Sequence, residues 1–216
     1  AASWAREAHV ALLPRTRGGC RPMPGRDGAA NEQREICSRF DRAVIEQVTE
    51  LARGRPVTLL VAARWPSSKV AGIAGGEPGP IGDRVTRAMD RIAEAARAGG
   101  FRVAIMLDTP TLPYDGPTCL SRRPANECGT PRAKAEAERA EATVALRTFA
   151  ARHPDMTLID PLPALCDAAT CPALTGDIVL YHDSDHLSAQ GSVWLAGRLG
   201  RGLLDAALLP RERAQL

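Results

Sequence analysis

Long apolar runs are missing from this sequence. The longest extends only from Val57 to Ala63 and is interrupted by Thr58, whereas a helix that spans a bilayer needs about 20 apolar residues. The sequence therefore predicts no transmembrane helix, and none of its segments has the pattern of a secretory signal peptide.

Dense clusters of one charge are also missing. Lysine and arginine total 28 against 25 aspartate and glutamate residues, and Arg122-Arg123 is the densest basic spot. Nucleic acid or an anionic membrane surface is therefore not implied as a partner. The 216 residues, 44% hydrophobic and 25% charged, have an ordinary globular composition. They predict one domain, long enough to bury a core between a sheet and two layers of helices.

No C-x-x-C spacing of the kind used for zinc occurs among the six cysteines. Fifteen disulfide connectivities are formally possible, but the cysteines fall into sequence-local pairs within turn-rich segments. The pairs expected on that ground are Cys20–Cys37, Cys119–Cys128 and Cys166–Cys171. Each bond would stabilise the fold by roughly 2–4 kcal/mol, and together they favour an oxidising compartment.

Apolar runs of strand length alternate with helical patterns along most of the chain. Strands are predicted at 9–13, 57–63, 101–107 and 156–159. Helices are predicted at 36–51, from a cap at Asp83 to Gly99, and from Thr130, with Pro131 in its first turn, to about Arg152. This alternation predicts a parallel α/β sheet with helices on both faces. Ligands bind such sheets at the carboxyl ends of the strands, and the long Gly/Pro-rich loop 66–82 is a candidate binding loop there.

The most informative stretch runs from Tyr181 to Ser192, between a short apolar run and a helical pattern that continues to Leu203. In its turn, Asp183 precedes His186 by three residues, a spacing that folds the carboxylate back onto the imidazole. A carboxylate that accepts the Nδ1 proton fixes the tautomer and leaves Nε2 free to act as a base. Ser188 is expected to cap the following helix.

Two other interpretations of this stretch remain open. The turn could simply cap a helix, with a histidine satisfied by local hydrogen bonds, and Asp185 is interpreted as a cap or surface carboxylate. Alternatively His182, Asp183, Asp185 and His186 could form a metal cluster, although no further ligand stands at an obvious remote spacing.

The motifs and their order resemble a known family. Asp183-x-x-His186-Leu187-Ser188-x-x-Gly191 is similar to the last motif of the SGNH hydrolase superfamily, and more narrowly to SGNH domains fused to acyltransferase-3 membrane domains. Other similar segments follow in the order of that family: Gly19-Cys20-Arg21-Pro22, Leu60-Val61-Ala62-Ala63-Arg64-Trp65, Cys119-Leu120, Ile159-Asp160-Pro161 with Cys166, and Leu180-Tyr181-x-Asp183-x-Asp185-His186.

The resemblance implies a three-layer, SGNH/flavodoxin-like α/β fold with Asp183 and His186 as catalytic residues. By position, Gly18, Gly19, Arg64 and Trp65 become candidates for oxyanion stabilisation or substrate contact. The alternatives are turn glycines for Gly18 and Gly19, an ion pair with a carboxylate for Arg64, and a core role for Trp65. The family carries its nucleophile in a Gly-Asp-Ser block, but the chain contains neither this block nor a G-x-S-x-G elbow. Ser3 is a poor substitute, because it is expected within a helix.

We therefore expect residues 1–216 to form a single SGNH-like domain that is N-terminally truncated. It would lack the first central strand and belong to a longer polypeptide, tethered to an acyltransferase-3 membrane domain. The resemblance implies a periplasmic O-acyltransferase that moves an acetyl group from an acyl donor to a cell-envelope polysaccharide such as lipopolysaccharide, without metal or organic cofactor. The alternatives are a carbohydrate acetylesterase of the SGNH type and a non-catalytic glycan-binding domain with a vestigial Asp-His pair.

Overall fold

The structure, a computed structural model, describes residues 2–21, 32–65 and 80–209. Its helices are α1 (Ala2–Glu7), α2 (Glu32–Ala52), α3 (Ile81–Gly99), α4 (Gly116–Leu120), α5 (Arg132–Arg152), α6 (Leu162–Leu165), α7 (Ala189–Leu199) and α8 (Arg201–Leu208). Its strands are β1 (Thr58–Ala62), β2 (Arg102–Met106), β3 (Thr130–Pro131), β4 (Thr157–Ile159), β5 (Thr170–Cys171), β6 (Leu174–Thr175) and β7 (Ile178–Val179). The candidate loop 66–82 lies outside the described residues except for its last three positions, as does the side chain of Ser3.

Contacts divide the chain into two compact units. The first unit contains Ala1–Leu13, Asp108–Glu138 and Asp160–Asp205, and the second contains Pro14–Leu107, Arg139–Ile159 and Ala206–Leu216.

The second unit contains a parallel sheet in the order β1-β2-β4. Thr58 of β1 lies opposite Arg102 of β2, and Met106 of β2 lies opposite Ile159 of β4. These three strands are the ones predicted from the apolar runs at 57–63, 101–107 and 156–159. The parallel α/β prediction is confirmed.

One face of this sheet packs against helices. The apolar side chains of α3 are buried with the inward side chains of β1 and β2 and the inner side of α5. The members of this core include Val61, Val85, Met89, Ile92, Val103, Ile105, Leu146 and Phe149. Burying side chains of this size stabilises a fold by about 1.5–3 kcal/mol each. Helix α3 ends at Gly99, as predicted, and the next residue, Gly100, adopts the left-handed conformation common after a helix end, with φ 68°. Its N-terminal residue is preceded by Pro80, so the prediction that Asp83 caps this helix is wrong.

The opposite face of β2 carries Arg102, because successive side chains of a strand alternate between faces. Its guanidinium donates to the backbone carbonyls of Ala206 and Leu209 at the end of α8. Carbonyls in the last turn of a helix have no partner within the helix and favour a cation. The sheet therefore has helical segments on both faces, as predicted.

Three local predictions are wrong. Residues 9–13 form no strand, and Leu12 and Leu13 are 44% and 54% exposed; this run has no strand partner among the described residues. Thr130-Pro131 is not the start of a helix but strand β3, which pairs with β5, and α5 begins at Arg132. The helical pattern continuing to Leu203 is interrupted at Gly200, where φ is 80°.

The first unit is built around two disulfides and two small antiparallel pairs, β3 with β5 and β6 with β7. Strand β7 is thus not a member of the parallel sheet. The three disulfides of the chain are those predicted: Cys20–Cys37 in the second unit, and Cys119–Cys128 and Cys166–Cys171 in the first. Within the described ranges, no helix combines the length and the apolar content that crossing a bilayer requires.

Candidate functional site

The Asp-His pair lies in the first unit, on a loop with a narrow neck. An isolated β-bridge joins Tyr181 to Leu187, and the His182 backbone N–H donates to the His186 carbonyl at 2.7 Å. The residues between them are thus held in a closed turn directly after β7. A loop closed at its neck fixes the backbone from which the functional side chains project.

Within this loop, Asp183 binds His186 through both the backbone and the ring. Its Oδ1 accepts the backbone N–H groups of Asp185 at 2.9 Å and His186 at 2.7 Å. Its Oδ2 lies 2.8 Å from His186 Nδ1. With both oxygens engaged, the carboxylate has one orientation relative to the ring, and this places the Nδ1 proton between His186 and Asp183.

Electrostatics keep Asp183 ionised. Partial burial acts to raise its pKa, but the two backbone hydrogen bonds and the His186 ring outweigh this and hold the pKa of Asp183 well below its usual range. The side chain of Asp183 is 35% exposed and that of His186 75% exposed. The arrangement is an anchored carboxylate that supports an imidazole open to solvent.

Asp185 brings a second carboxylate to the ring. Its Oδ1 lies 3.3 Å from His186 Nδ1, and its side chain is 28% exposed. The sequence interpretation of Asp185 as a cap or surface residue missed this contact. Asp183 remains the orienting carboxylate because its oxygen is nearer to Nδ1.

A metal could in principle use the same residues. Asp183, Asp185 and His186 each offer a ligand atom within 4.8 Å of the others, and His182 is not part of that group. Two ligands of a tetrahedral zinc ion, each about 2.0–2.1 Å from the metal, lie about 3.3 Å apart. The 2.8 Å between Asp183 Oδ2 and His186 Nδ1 fits a hydrogen bond better than a shared ion.

Ser188 connects the loop to α7, as predicted. Its Oγ accepts the backbone N–H of Gly191 at 2.8 Å and donates to the Val179 carbonyl at 2.6 Å. The backbone N–H of Ser188 also donates to the Leu180 carbonyl at 2.9 Å. One serine thus caps the helix and ties it to the end of β7.

The site predicts a specific response to acid. Because the folded pKa of Asp183 lies below its unfolded value of about 3.9, its contribution to the free energy of unfolding is complete above that pH and is lost as pH falls toward the folded pKa. We expect wild-type stability to fall more steeply than that of Asp183→Asn between about pH 4 and pH 2. Urea unfolding at successive pH values measures both slopes.

This comparison isolates Asp183 from two other carboxyls. Hydrogen bonds from Thr118 lower the pKa of Asp115, and those from Thr170 and Ala169 lower the pKa of Asp167. Both carboxyls are present in wild type and in Asp183→Asn. Their contributions to the pH dependence of the unfolding free energy therefore cancel when the two proteins are compared. Parallel stability curves for the two proteins over this range would contradict the assignment.

The other predicted site residues lie in the second unit. Gly18 and Gly19 form an exposed turn closed by the Cys20 N–H and the Arg17 carbonyl, and Gly19 has φ 74°. The Arg21 side chain donates from Nε to the Arg64 carbonyl at 2.7 Å. The structure therefore brings the glycine turn close to the end of β1, where Arg64 lies.

Trp65 is a core residue. It is 2% exposed, packs within the sheet–helix core, and donates from Nε1 to the Met106 carbonyl at 2.9 Å. The core role left open by the sequence is therefore the observed one.

Tyr181 is structural as well. It is 1% exposed, and its hydroxyl has no hydrogen-bond partner among the residues that the structure describes. Burial raises the pKa of this hydroxyl, so Tyr181 supplies no anion to the site.

Sequence reasoning missed the segment that supports the loop from outside. Thr109, Leu112 and Gly116 each donate a hydrogen bond to a carbonyl of residues 183–185. Only the glycine gives a hint in sequence, because a glycine opening a short helix can mark a close backbone approach.

A search of curated proteins found no match. Among solved structures, the chain is similar to the periplasmic domain of a lipopolysaccharide acetyltransferase from Salmonella ser. Paratyphi A, with 16% sequence identity and a TM-score of 0.65. The alignment covers 94% of this chain and 77% of that chain. At this identity the likeness shows the fold.

A family model described as the SGNH domain fused to AT3 domains matches residues 1–201. The match includes the loop that carries Asp183 and His186 and the three disulfides. This chain therefore belongs to the family of SGNH domains that are fused to AT3 domains.

Proposed function

We propose that this chain provides the acid–base pair of an O-acyltransferase that moves an acetyl group onto a hydroxyl of a cell-envelope polysaccharide. The observation that carries the proposal is the 2.8 Å contact between Asp183 Oδ2 and His186 Nδ1, on a ring whose side chain is 75% exposed. A carboxylate-oriented imidazole is the base that activates hydroxyl nucleophiles in acyl transfer. Membership of the SGNH family supports the same chemistry.

In this mechanism, His186 Nε2 takes the proton of a serine hydroxyl while the serine oxygen attacks the acyl carbonyl of the donor. The tetrahedral intermediate expels the donor alcohol or thiol, which leaves with the proton from His186. A glycan hydroxyl then gives its proton to Nε2 and attacks the carbonyl of the acyl-serine. His186 returns this proton to the serine oxygen, which leaves as the free hydroxyl. Asp183 stabilises the imidazolium formed in both halves.

The serine is expected in a Gly-Asp-Ser block, which does not occur in these 216 residues. We propose that another part of a longer polypeptide that contains this chain supplies it. Backbone N–H groups of Gly18 and Gly19 and the Arg64 guanidinium are the proposed donors to the developing oxyanion. The mechanism requires no metal or organic cofactor.

The proposed setting is the periplasm or the outer face of the inner membrane. Three disulfides form and persist in oxidising compartments. The family is described as fused to AT3 domains, which supports a tether to such a membrane domain as the partner of this chain. The Salmonella neighbour is itself a periplasmic domain.

Hydrolysis is the second candidate, and the exposure of His186 favours it. An acyl-serine next to a solvent-exposed imidazole is open to water, and water as acceptor makes the same machinery an acetylesterase. The two functions differ only in which hydroxyl reaches the acyl group.

The test supplies the native protein with an activated acetyl ester, with and without cell-envelope polysaccharide. We expect acetyl on the polysaccharide to exceed acetate released to water. We also expect His186→Gln to lower the rates of glycan acetylation and of acetate release by about 10³-fold or more. The measurements are mass spectrometry of the glycan and release of the ester's leaving group.

The outcomes separate the candidates. Acetate without acetylated glycan would favour the esterase. Retention of polysaccharide with no turnover would favour a glycan-binding domain with a vestigial pair. Turnover that His186→Gln leaves undiminished would contradict both catalytic proposals.

A further inference from the structure

The loop that carries Asp183 and His186 is held from outside by one segment of the first unit. Three successive carbonyls of the loop each accept a hydrogen bond from it. The Gly116 N–H donates to the Asp183 carbonyl at 3.1 Å, and the Leu112 N–H donates to the Ser184 carbonyl at 2.8 Å. The Thr109 hydroxyl completes the set with a 3.4 Å contact to the Asp185 carbonyl.

We infer that the segment Thr109–Gly116, here called the brace, sets the position of Asp183 relative to His186, and that Gly116 is its central positioning residue. This inference rests on the proposed function, because it assigns a role in orienting the proposed base. The brace residues contact the loop backbone and are not themselves catalytic.

A side chain at position 116 would make close contacts with three neighbouring atoms. A Cβ built at this position would lie 3.3 Å from the Asp183 carbonyl oxygen, 3.3 Å from Leu112 Cδ1 and 3.3 Å from Tyr181 Cβ. Contacts this short force a neighbour to move by a few tenths of an ångström. Tyr181 is locked in a buried cluster, so the displacement passes to the loop.

The brace is itself anchored. Asp115 caps α4 by accepting the Thr118 N–H at 2.9 Å, and the Cys119–Cys128 disulfide ties the same short helix to residues that follow it. Leu112 and both cysteines are buried in the cluster that contains Tyr181. The brace therefore has a fixed surface against which the loop is held.

Small displacements matter because two carboxylates compete for one nitrogen. Asp183 Oδ2 lies 2.8 Å from His186 Nδ1, and Asp185 Oδ1 lies 3.3 Å from it. The difference between the two distances is about the size of the shift that a Cβ at Gly116 would force. The brace thus decides which carboxylate orients the ring.

The test compares Gly116→Ala with Gly197→Ala in the native protein. Gly197 lies within α7, and a Cβ there meets no atom within 4 Å. For Gly116→Ala we expect kcat to fall about 10–100-fold with KM little changed, since misplacing a catalytic group by up to 1 Å costs on this scale. We also expect the His186 Nδ1–H signal in ¹H–¹⁵N spectra to shift or broaden, and neither effect in Gly197→Ala.

A second pair of variants covers the case in which Gly116→Ala does not fold. Thr109→Val keeps the side-chain shape and removes the hydroxyl, and Thr109→Ser restores it. We expect Thr109→Val to alter the Nδ1–H signal and lower kcat severalfold, and Thr109→Ser to recover both. An unchanged signal and unchanged kcat in Thr109→Val, or in a folded Gly116→Ala, would overturn the inference.

The readouts also separate this inference from the proposed function. If His186→Gln abolishes turnover but the brace variants change neither the Nδ1–H signal nor the rate, the positioning role of the brace is wrong and the proposed function stands. If the brace variants change the Nδ1–H signal while His186→Gln leaves turnover intact, the positioning role of the brace stands and the proposed function fails.

Discussion

Replacing Asp183 with asparagine is expected to lower kcat for acyl transfer about 10³–10⁴-fold. The amide retains the oxygen that accepts the backbone N–H groups of Asp185 and His186, so the loop keeps its shape. Its NH₂ group, however, would face His186 Nδ1 in place of Oδ2 and favour the tautomer whose Nε2 carries the proton. A ring in that tautomer cannot take a proton from the nucleophile. Initial rates with an activated acetyl ester measure the loss.

Two matched substitutions complete this experiment. Asp185→Asn is expected to lower kcat about tenfold or less, because its oxygen lies 3.3 Å from Nδ1. Asp177→Asn, in the exposed turn between β6 and β7, is expected to leave kcat unchanged. If Asp185→Asn were as damaging as Asp183→Asn, the assignment of Asp183 as the sole orienting carboxylate would be wrong.

Replacing Gly191 with alanine is expected to cost about 3 kcal/mol of unfolding free energy, or to prevent folding. A Cβ at Gly191 would lie 2.1 Å from the Leu180 carbonyl oxygen and 2.8 Å from the carbonyl carbon. Both atoms belong to the backbone, so the first turn of α7 would have to move away. That movement would break the hydrogen bond from the Ser188 N–H to the same carbonyl. A loss of this size lowers Tm by about 6–12 °C in a chain of this length.

Gly197→Ala is again the matched control. Gly197 lies in the same helix with open space around its Cβ position, so alanine is expected to stabilise the helix by up to about 1 kcal/mol. Chemical unfolding of both variants measures the contrast. A Gly191→Ala protein within about 0.5 kcal/mol of wild type would show that α7 does not pack against Leu180 as described.

The features that the sequence predicted correctly are mostly local. Asp183 and His186 are three residues apart, so the turn that joins them needs no distant partner. Each disulfide joins neighbouring cysteines in the chain. The three strands of the parallel sheet are apolar runs of strand length, which the pattern of a buried parallel strand reveals directly.

The features that the sequence missed depend on distant partners. The run at residues 9–13 resembles the other buried strands, but a strand also needs a neighbour in a ladder. Thr130-Pro131 has the composition of a helix start, yet Thr130 pairs with Cys171 in β3–β5. The brace is of the same kind, because hydrogen bonds to loop carbonyls about 70 residues away leave no pattern in composition or spacing.

The central claim is that Asp183 holds the His186 ring with the proton on Nδ1 and leaves Nε2 available as a base. The most direct measurement is a ¹H–¹⁵N correlation spectrum of the histidine side chains at about pH 8.5, where imidazole groups are ordinarily neutral. We expect a protonated Nδ1 and an unprotonated Nε2 for His186, and loss of the Nδ1–H signal in Asp183→Asn. A His186 ring protonated on Nε2, or one whose spectrum Asp183→Asn leaves unchanged, would contradict it.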